Sequence, residues 1–564
     1  MFCSPFESAG DLPSTQLPGR NGIPPAASTM IRDVGTICPH HQKPMSFAAS
    51  TVPDAARMVI FEPASRWPDA TALVFLYAAS ERTLTYAQVA HQVRTLSAAF
   101  VEQGVRRADR VALRLPHSPE FVVAFFAIIA AGAVPVATSP VLTESEFQWI
   151  VADSGARWIA GAPQMRPSES PTDAYEVMLD TVAGALETAR PDPAARASLE
   201  PEPTGDEPAW MVYTSGTSGR PRGVIHAHRA LLAREWMRDG WTGLQTADRL
   251  LHAGQLNWSY TMGCAVMDTW RVGATGVLVG FQPEPHQWPQ LIRRARATVF
   301  AAVPSLYRRI LKYAPDGSLG NLPLRHALTA GEALAASLSE AWMNATAVPL
   351  YEALGMTECS TYLSSGPATP VRAGSAGRPQ AGRRVILLPI DAGTDPVDPY
   401  ELGVIAIHRS DPGLMLGYHN RAAEEAAMMR GEWFITGDLA VRDDDGYFFT
   451  LGRNDDLMNA SGYRVSPVEV EDVLRSHPVV ADVGVTDVDV GDGVKIICAF
   501  VVQVEGTTAG ADELATELLA HAARALAPWK CPRRIVFTHA LPRNANGKLL
   551  RRALAMPDVF SSDG

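Results

Sequence analysis

The run YTSGTSGRPRG at residues 213–223, entered from the apolar, strand-like stretch 209–212, restricts the possible fold more than any other part of the chain. Its glycines let the backbone turn tightly and point N–H groups inward, its hydroxyls add donors, and Arg222 adds a fixed positive charge. A loop of that make-up, leaving a strand, is built to hold an anion of phosphate type, and it reads as a nucleotide-binding loop. The common Gly-x4-Gly-Lys-Ser/Thr pattern does not apply, because Gly216 and Gly219 stand too close together and no Gly-Lys-Ser/Thr triplet follows. A flexible surface linker shares the composition, so the reading depends on what accompanies it.

At 564 residues the chain exceeds what one core usually serves, and two or more domains are expected. Residues 84–160 alternate helix-like segments with short apolar strands such as 111–115, which a Pro-His-Ser turn connects to a long helix. That is α/β layering. The same texture returns after the Pro-, Glu- and Asp-rich segment 191–208: residues 298–303 read as a strand, and Pro304 opens the amphipathic helix 305–312. Short β segments, among them 403–408 and 446–451, mark a compact β region over 391–447. The expected fold class is therefore α/β: a large N-terminal domain of two α/β layered subdomains plus a small β region, then a small mobile α+β C-terminal domain. The boundaries drawn are a disordered tail over 1–45, with Met45 as an alternative start, a large domain over 46–453, a hinge at 454–456 and a small domain over 457–564.

A formal net charge of −11 argues against general affinity for nucleic acid or anionic membrane. The most apolar stretch, 121–134, is shorter than the roughly 20 residues of a membrane span and reads as a buried helix. The start lacks the pattern of a signal peptide. Six cysteines, Cys3, Cys38, Cys264, Cys359, Cys498 and Cys531, show no pairwise spacing, which suggests neither a disulfide framework nor a zinc site and fits a reducing, cytoplasmic compartment.

Four further segments carry chemistry. In YEALGMTEC (351–359), Thr357 and Glu358 follow a short strand and a glycine turn at Gly355; a hydroxyl beside a carboxylate suits a magnesium-triphosphate site, and equally a helix cap. In WFITGDLA (433–440), Asp438 follows a Thr-Gly turn, where it could accept bonds from two ribose hydroxyls or form an Asx-type turn. The stretch 452–471 carries Arg453, Asp455, Asp456, Gly462 and Arg464 at a domain junction, where a hinge is plausible. In LPRNANGKLLRRAL (541–554), Lys548 follows an Asn-Ala-Asn-Gly turn near the chain end; a surface lysine would look the same.

In this order the segments resemble the adenylate-forming, or AMP-binding, superfamily from about residue 50 to 555. SAGRPQAGRRV (375–385), AGEAL (330–334) and WKCPRRIVF (529–537) resemble the benzoate and medium-chain acyl-CoA ligases. The resemblance implies a two-step, ATP-dependent reaction: a carboxylate attacks the α-phosphate to give an acyl-adenylate and pyrophosphate, then the CoA thiol displaces AMP to give a thioester. Mg2+ is the implied metal, with Glu358 as its protein ligand. By the same carry-over, Thr214, Ser215, Gly216, Thr217, Ser218 and Gly219, closed by Arg222, hold the β and γ phosphates, and Thr357 touches the α-phosphate. Gly331, Glu332 and Ala333 line the adenine side, with Glu352, Ala353 and Leu354 across the ring. Asp438 and Arg453 hold the ribose, and Lys548 bridges carboxylate and α-phosphate. The hinge maps to Asp455, Gly462 lines the pantetheine tunnel, and Arg464 holds a CoA phosphate. The acyl pocket falls to Asn257, Trp258, Ser259, Tyr260 and Thr361, with residues 328–331.

Three departures stand out: Arg222 replaces the usual lysine, Leu354 replaces the usual aromatic on adenine, and the terminal loop lacks its usual threonine. Asn257 supplies no charge for a substrate ammonium, so an amino acid is not the expected substrate. Two other readings stay open: an enzyme that loads an acyl carrier protein, and a nucleotide-binding protein that has lost catalysis.

Overall fold

The computed structural model describes residues 52–162, 165, 175–178, 203–214, 221–460, 463–490, 495–504, 506–507, 510–543 and 549–554. Two large sheets carry most of it. The nine-stranded sheet has six parallel strands at its centre, in the order Leu350–Met356, His326–Ala330, Val299–Ala302, Arg249–His252, Thr275–Val279 and Thr71–Leu76. Antiparallel strands flank them, Ser360–Ser364 and Arg378–Pro379 on one side and Glu81–Thr85 on the other. A parallel sheet must be covered on both faces, and the alternation along Thr71–Leu76 does this: Leu73 and Phe75 enter one apolar cluster, Leu76 and Val74 another.

The seven-stranded sheet runs Gly417–Tyr418, Arg222–Ala227, Pro208–Thr214, Val134–Ala137, Arg110–Arg114, Trp158–Gly161 and Tyr175–Met178. Helix Pro119–Ala130 is buried from Phe121 to Ala130, in a cluster that also takes Phe75 from the nine-stranded sheet and Val111 and Leu113 from the seven-stranded one. A helix that is apolar all round belongs in such a place. It ends earlier than expected. Gly132, at φ 75°, turns the chain, and Val134 opens a strand with Pro135 inside it, opposite Val111. A strand buried on both faces is as continuously apolar as a buried helix, which is why the run 121–134 reads as one element.

A smaller antiparallel sheet contains Val385–Leu388, Gly403–His408, Trp433–Arg442, Met429–Arg430 and Phe448–Arg453. The strand expected at 403–408 lies there, whereas that expected at 446–451 begins and ends two residues later. Beyond it come a hairpin, Met458–Ala460 with Tyr463–Val465, and a sheet of Val480–Asp489, Lys495–Gln503 and Arg534–Phe537. Helices Pro467–Arg475 and Ala511–Ala525 share a separate apolar cluster with that sheet. The architecture is the expected α/β one, a large N-terminal and a small α+β C-terminal part. Among the described residues no helix is long and apolar enough to cross a membrane, and Cys264, Cys359, Cys498 and Cys531 are free thiols.

Candidate functional site

The hairpin of Leu350–Met356 and Ser360–Ser364 is the hub to which the separate segments connect. Gly355 is a strand residue, not the expected turn. It faces Thr361 at a register shift, and a Cβ there would lie 2.5 Å from Ser360 O and from Thr361 Cα, so close approach of two backbones demands glycine. Thr357 and Glu358 therefore sit at a hairpin tip and cap no helix. Buried Glu358 accepts a hydrogen bond from the Tyr418 hydroxyl at 2.7 Å through Oε1, and its carbonyl accepts from Met415 N at 2.7 Å.

Tyr418 also touches the glycine-rich run. The Arg222 guanidinium lies 4.8 Å over its ring, with Nη1 3.4 Å from Glu424 Oε2. Thr214 and Arg222 face each other across the antiparallel ladder, so the two ends of the run meet, and Thr214 Oγ1 is buried without a partner among the described residues. Ser215, Gly216, Thr217, Ser218 and Gly219 lie outside the described residues, as do Gly462 and Lys548.

The hairpin's second strand reaches Asp438, whose Oδ2 accepts from the Tyr362 hydroxyl at 3.1 Å. The expected Thr-Gly turn is instead a kink inside the ten-residue strand Trp433–Arg442: Gly437 has φ 82°, and a Cβ on it would lie 2.8 Å from Arg453 Nη2. Asp438 and Arg453 are directly paired across the ladder, with Arg453 Nη1 3.7 Å from Asp438 Oδ1 and 2.8 Å from Thr436 O. Arg453 Nε also donates to Asp455 Oδ1 at 3.1 Å, in the single turn Asn454–Asp456. Arg464 lies on the strand Tyr463–Val465, paired with Asn459.

Gly331, Glu332 and Ala333 leave the strand His326–Ala330. Gly331 has φ 93°, and a Cβ would meet the Trp258 ring at 2.9 Å. Glu332 accepts from Ser305 N at 3.2 Å and is paired at 3.4 Å with Arg543 of the C-terminal part. Ala353 points into the main apolar cluster, so it can offer a ligand only its backbone; Leu354 packs against the cluster around Tyr362.

Glu352 is fully buried, its Oε1 accepting from Leu334 N at 3.0 Å, and burial raises its carboxyl from 4.5 to about 8. It is neutral at pH 7. Between those two values the unfolded chain has lost the proton that the folded chain keeps, so stability falls as pH rises through this window, by on the order of 5 kcal/mol in all. Glu352→Gln keeps the acceptor oxygen and removes the titration. The variant is expected to melt above the unaltered protein at pH 8 and level with it at pH 4.5, the two ends of the shift. An equal difference at both pH values would contradict a buried neutral acid.

A cavity beside the hairpin tip is lined by Asn257, Trp258, Ser259 and Thr357, and also by His226, Arg234 and Ser360. Two expected lining residues turn elsewhere. Tyr260 stacks on Trp241, and its hydroxyl lies 3.3 Å from Leu328 O in the core, while Thr361 Oγ1 accepts from Gln380 Nε2 at 3.0 Å. Thr361 and Ser360 occupy opposite faces of one strand, as successive strand residues must, so a reading off by one position selects the wrong face. His226 and Arg234 were missed. Burial lowers His226 to about 4, so it lines the cavity as neutral imidazole.

Under Glu358 lies an ion pair without solvent contact: Arg383 Nη1 donates to both oxygens of Asp411 at 2.8 Å, and the side chains are 0% and 1% exposed. Arg383 Nη2 also holds the carbonyl of Cys359, next to Glu358. Arg383→Leu would strand Asp411 and is expected to destabilise the protein by about 3–5 kcal/mol, whereas Arg383→Leu/Asp411→Leu should recover most of that loss. Urea denaturation of both variants checks this; equal losses would show that the charge pairing is not what matters.

Residues 60–419 match the family model described as AMP-binding enzyme, and residues 469–548 that of the AMP-binding enzyme C-terminal domain. A 3-hydroxybenzoate–CoA ligase of Aromatoleum sp. (strain CIB) is 31% identical, over 83% of this chain and 90% of its own length. A benzoate–CoA ligase of Thauera aromatica is 32% identical, over 83% of this chain and 89% of its own. Among solved structures, a benzoate CoA ligase from Burkholderia xenovorans LB400 superposes with a TM-score of 0.78 at 27% identity, covering 89% of this chain and all of that one. The anthranilate CoA ligase AuaEII in complex with anthranoyl-AMP gives 0.77 at 27% identity, over 90% and 99% of the two chains.

Proposed function

The chain belongs to the AMP-binding enzyme family, and from that premise we propose that it is an ATP-dependent acid–CoA ligase acting on a small aromatic carboxylic acid. The observation that carries this is the hairpin around Thr357 and Glu358: its tip joins Arg222 through Tyr418, its second strand joins Asp438 through Tyr362, and Thr357 opens onto an apolar cavity. In our reading one element couples a phosphate loop, a ribose-type carboxylate and a pocket for an acid.

Two anions must join in the first step. A carboxylate oxygen of the acid attacks the α-phosphorus and the bond to the β-phosphate oxygen breaks, releasing pyrophosphate; catalysis is then mainly fixed positive charge and N–H donors around the phosphates. In our reading the run from Thr214 to Gly219, with Arg222, cradles the β and γ phosphates, and Thr357 donates to the α-phosphate. Asp438 and Arg453 hold the ribose, and Gly331, Glu332 and Ala333 flank the adenine, with the backbone of Glu352, Ala353 and Leu354 on its other side. Lys548 supplies the bridging cation. In the second step the CoA sulfur attacks the acyl carbon and the bond to AMP breaks, which chiefly requires positioning. Asp455 serves as the hinge, Gly462 as the tunnel wall and Arg464 as a phosphate contact.

Among the described residues no group of three or more His, Cys, Asp or Glu side chains could cage a metal. Glu358 alone presents a carboxylate at the hairpin tip, one oxygen held by Tyr418, and a single carboxylate beside substrate phosphates is the donor set that Mg2+ takes. Bound there, Mg2+ would neutralise phosphate charge.

A panel of benzoates and short acids, incubated with ATP, Mg2+ and either CoA or a phosphopantetheinylated carrier protein, tests the assignment. AMP, pyrophosphate and aryl-CoA should appear together. Thioester on the carrier protein alone would replace CoA as acceptor, and no AMP with any acid would refute the ligase.

A further inference from the structure

Arg234 lines the acyl cavity, and it also lines a second one. It projects from helix Ala230–Met237, and Asp268, on the wide π-helical turn Met262–Asp268, takes its guanidinium in a fork: Nε to Oδ1 at 2.6 Å and Nη2 to Oδ2 at 2.7 Å. Nη1 donates to Ser360 Oγ at 3.2 Å. Both side chains are nearly sealed from solvent, at 6% and 2% exposure. Gly263, on the same wide turn, presses the guanidinium from another side; a Cβ there would lie 2.2 Å from Nη2. The group is thus clamped by Asp268, Ser360 and backbone, as a fixed partition would be.

The two spaces that it lines differ. The inner cavity, at the hairpin tip, has about 30 Å³ of free volume, and Trp258, Met262 and Met267 give it an apolar wall. The outer one has about 260 Å³ and is lined by Arg66, Arg238 and Arg271 as well as Arg234, against Glu62, Glu235 and Asp268. Glu235 is paired with Arg271, Asp268 with Arg234, Arg238 with Asp239 and Glu62 with Arg57, so of the lining guanidiniums Arg66 is the one that faces the outer chamber without an ion-pair partner among the described residues. Replacing a buried pair as a unit is tolerated far better than removing one member, so the partition can be taken out without stranding a charge.

We propose that the Arg234–Asp268 pair is the end wall of the acyl pocket, restricting the acid to a short one, and that the chamber behind it would take the second carboxylate of a longer dicarboxylic acid. This rests on the ligase reading above. The wall acts by occupying volume. Acids that end at the wall leave the pair intact, while a longer chain would have to break a forked, desolvated ion pair to enter.

The experiment compares the unaltered protein with Arg234→Ala/Asp268→Ala, following AMP release with ATP, Mg2+ and CoA on benzoic, suberic and sebacic acids. The double variant is expected to shift kcat/KM toward sebacate over benzoate by about tenfold or more relative to the unaltered protein. A folded double variant, judged by its melting curve, that ligates benzoate with the original preference would overturn the wall and leave the ligase reading standing. No AMP from the unaltered protein with any acid would overturn the ligase reading and this inference with it. Should the double variant fail to fold, a crystal structure of the unaltered protein with a benzoyl sulfamoyl-adenosine decides: the ring edge against Arg234 and Ser360 supports the wall, and a ring lodged away from Arg234 overturns it.

Discussion

Lys548→Ala is expected to slow acyl-adenylate formation by roughly 10²–10³-fold while leaving thioester formation from supplied acyl-adenylate within a few-fold of normal. The asymmetry follows from charge. In the adenylation step a carboxylate approaches a phosphate, and the transition state concentrates negative charge that only a cation or a set of donors can hold. In the thioester step a thiolate meets an acyl carbon and AMP departs, and no second anion has to be brought in. Arg543, five residues before Lys548, is ion-paired with Glu332 of the large body and with Asp482 within the C-terminal part. Five extended residues span at most about 18 Å. Single-turnover measurements of pyrophosphate release and of thioester formation separate the two steps, and equal loss in both would remove Lys548 from its role.

The converse variant is Gly462→Leu. Pyrophosphate release should remain near normal, and thioester formation should fall by about 10²-fold, because in the proposed mechanism a side chain at this position would enter the pantetheine path and hold the sulfur short of the acyl carbon, and small misplacements are that costly. Gly462→Ala should fall between the two. Normal CoA turnover in the leucine variant would place the thiol's route elsewhere. Together the pair forms a double dissociation: each substitution removes one half-reaction and spares the other, which damage to the fold could not do.

What could be read from residue order was whatever is local. The glycine-rich run is conspicuous because its glycines, hydroxyls and cation stand next to one another in the chain; Pro304 starts a helix because its fixed φ suits a first turn. Asp438 and Arg453 were both legible, but their pairing depends on strand register. Tyr418 and Tyr362 were not, since nothing nearby in sequence marks a tyrosine whose hydroxyl will find Glu358 or Asp438 tens of residues away. Arg234 was hidden for the same reason: on its own helix it looks like a surface cation, and only Asp268 from another element makes burial tolerable. Gly355 misled because a strand glycine that admits a crossing backbone and a turn glycine are the same letter.

The most direct test of the central claim, that acid and ATP combine before the thiol takes part, is exchange of labelled pyrophosphate into ATP with no CoA present. The expected result is exchange that depends on an aromatic acid and on Mg2+, lost in Lys548→Ala and retained in Gly462→Leu. Exchange that requires CoA, or cleavage of ATP to ADP in its place, would contradict the mechanism.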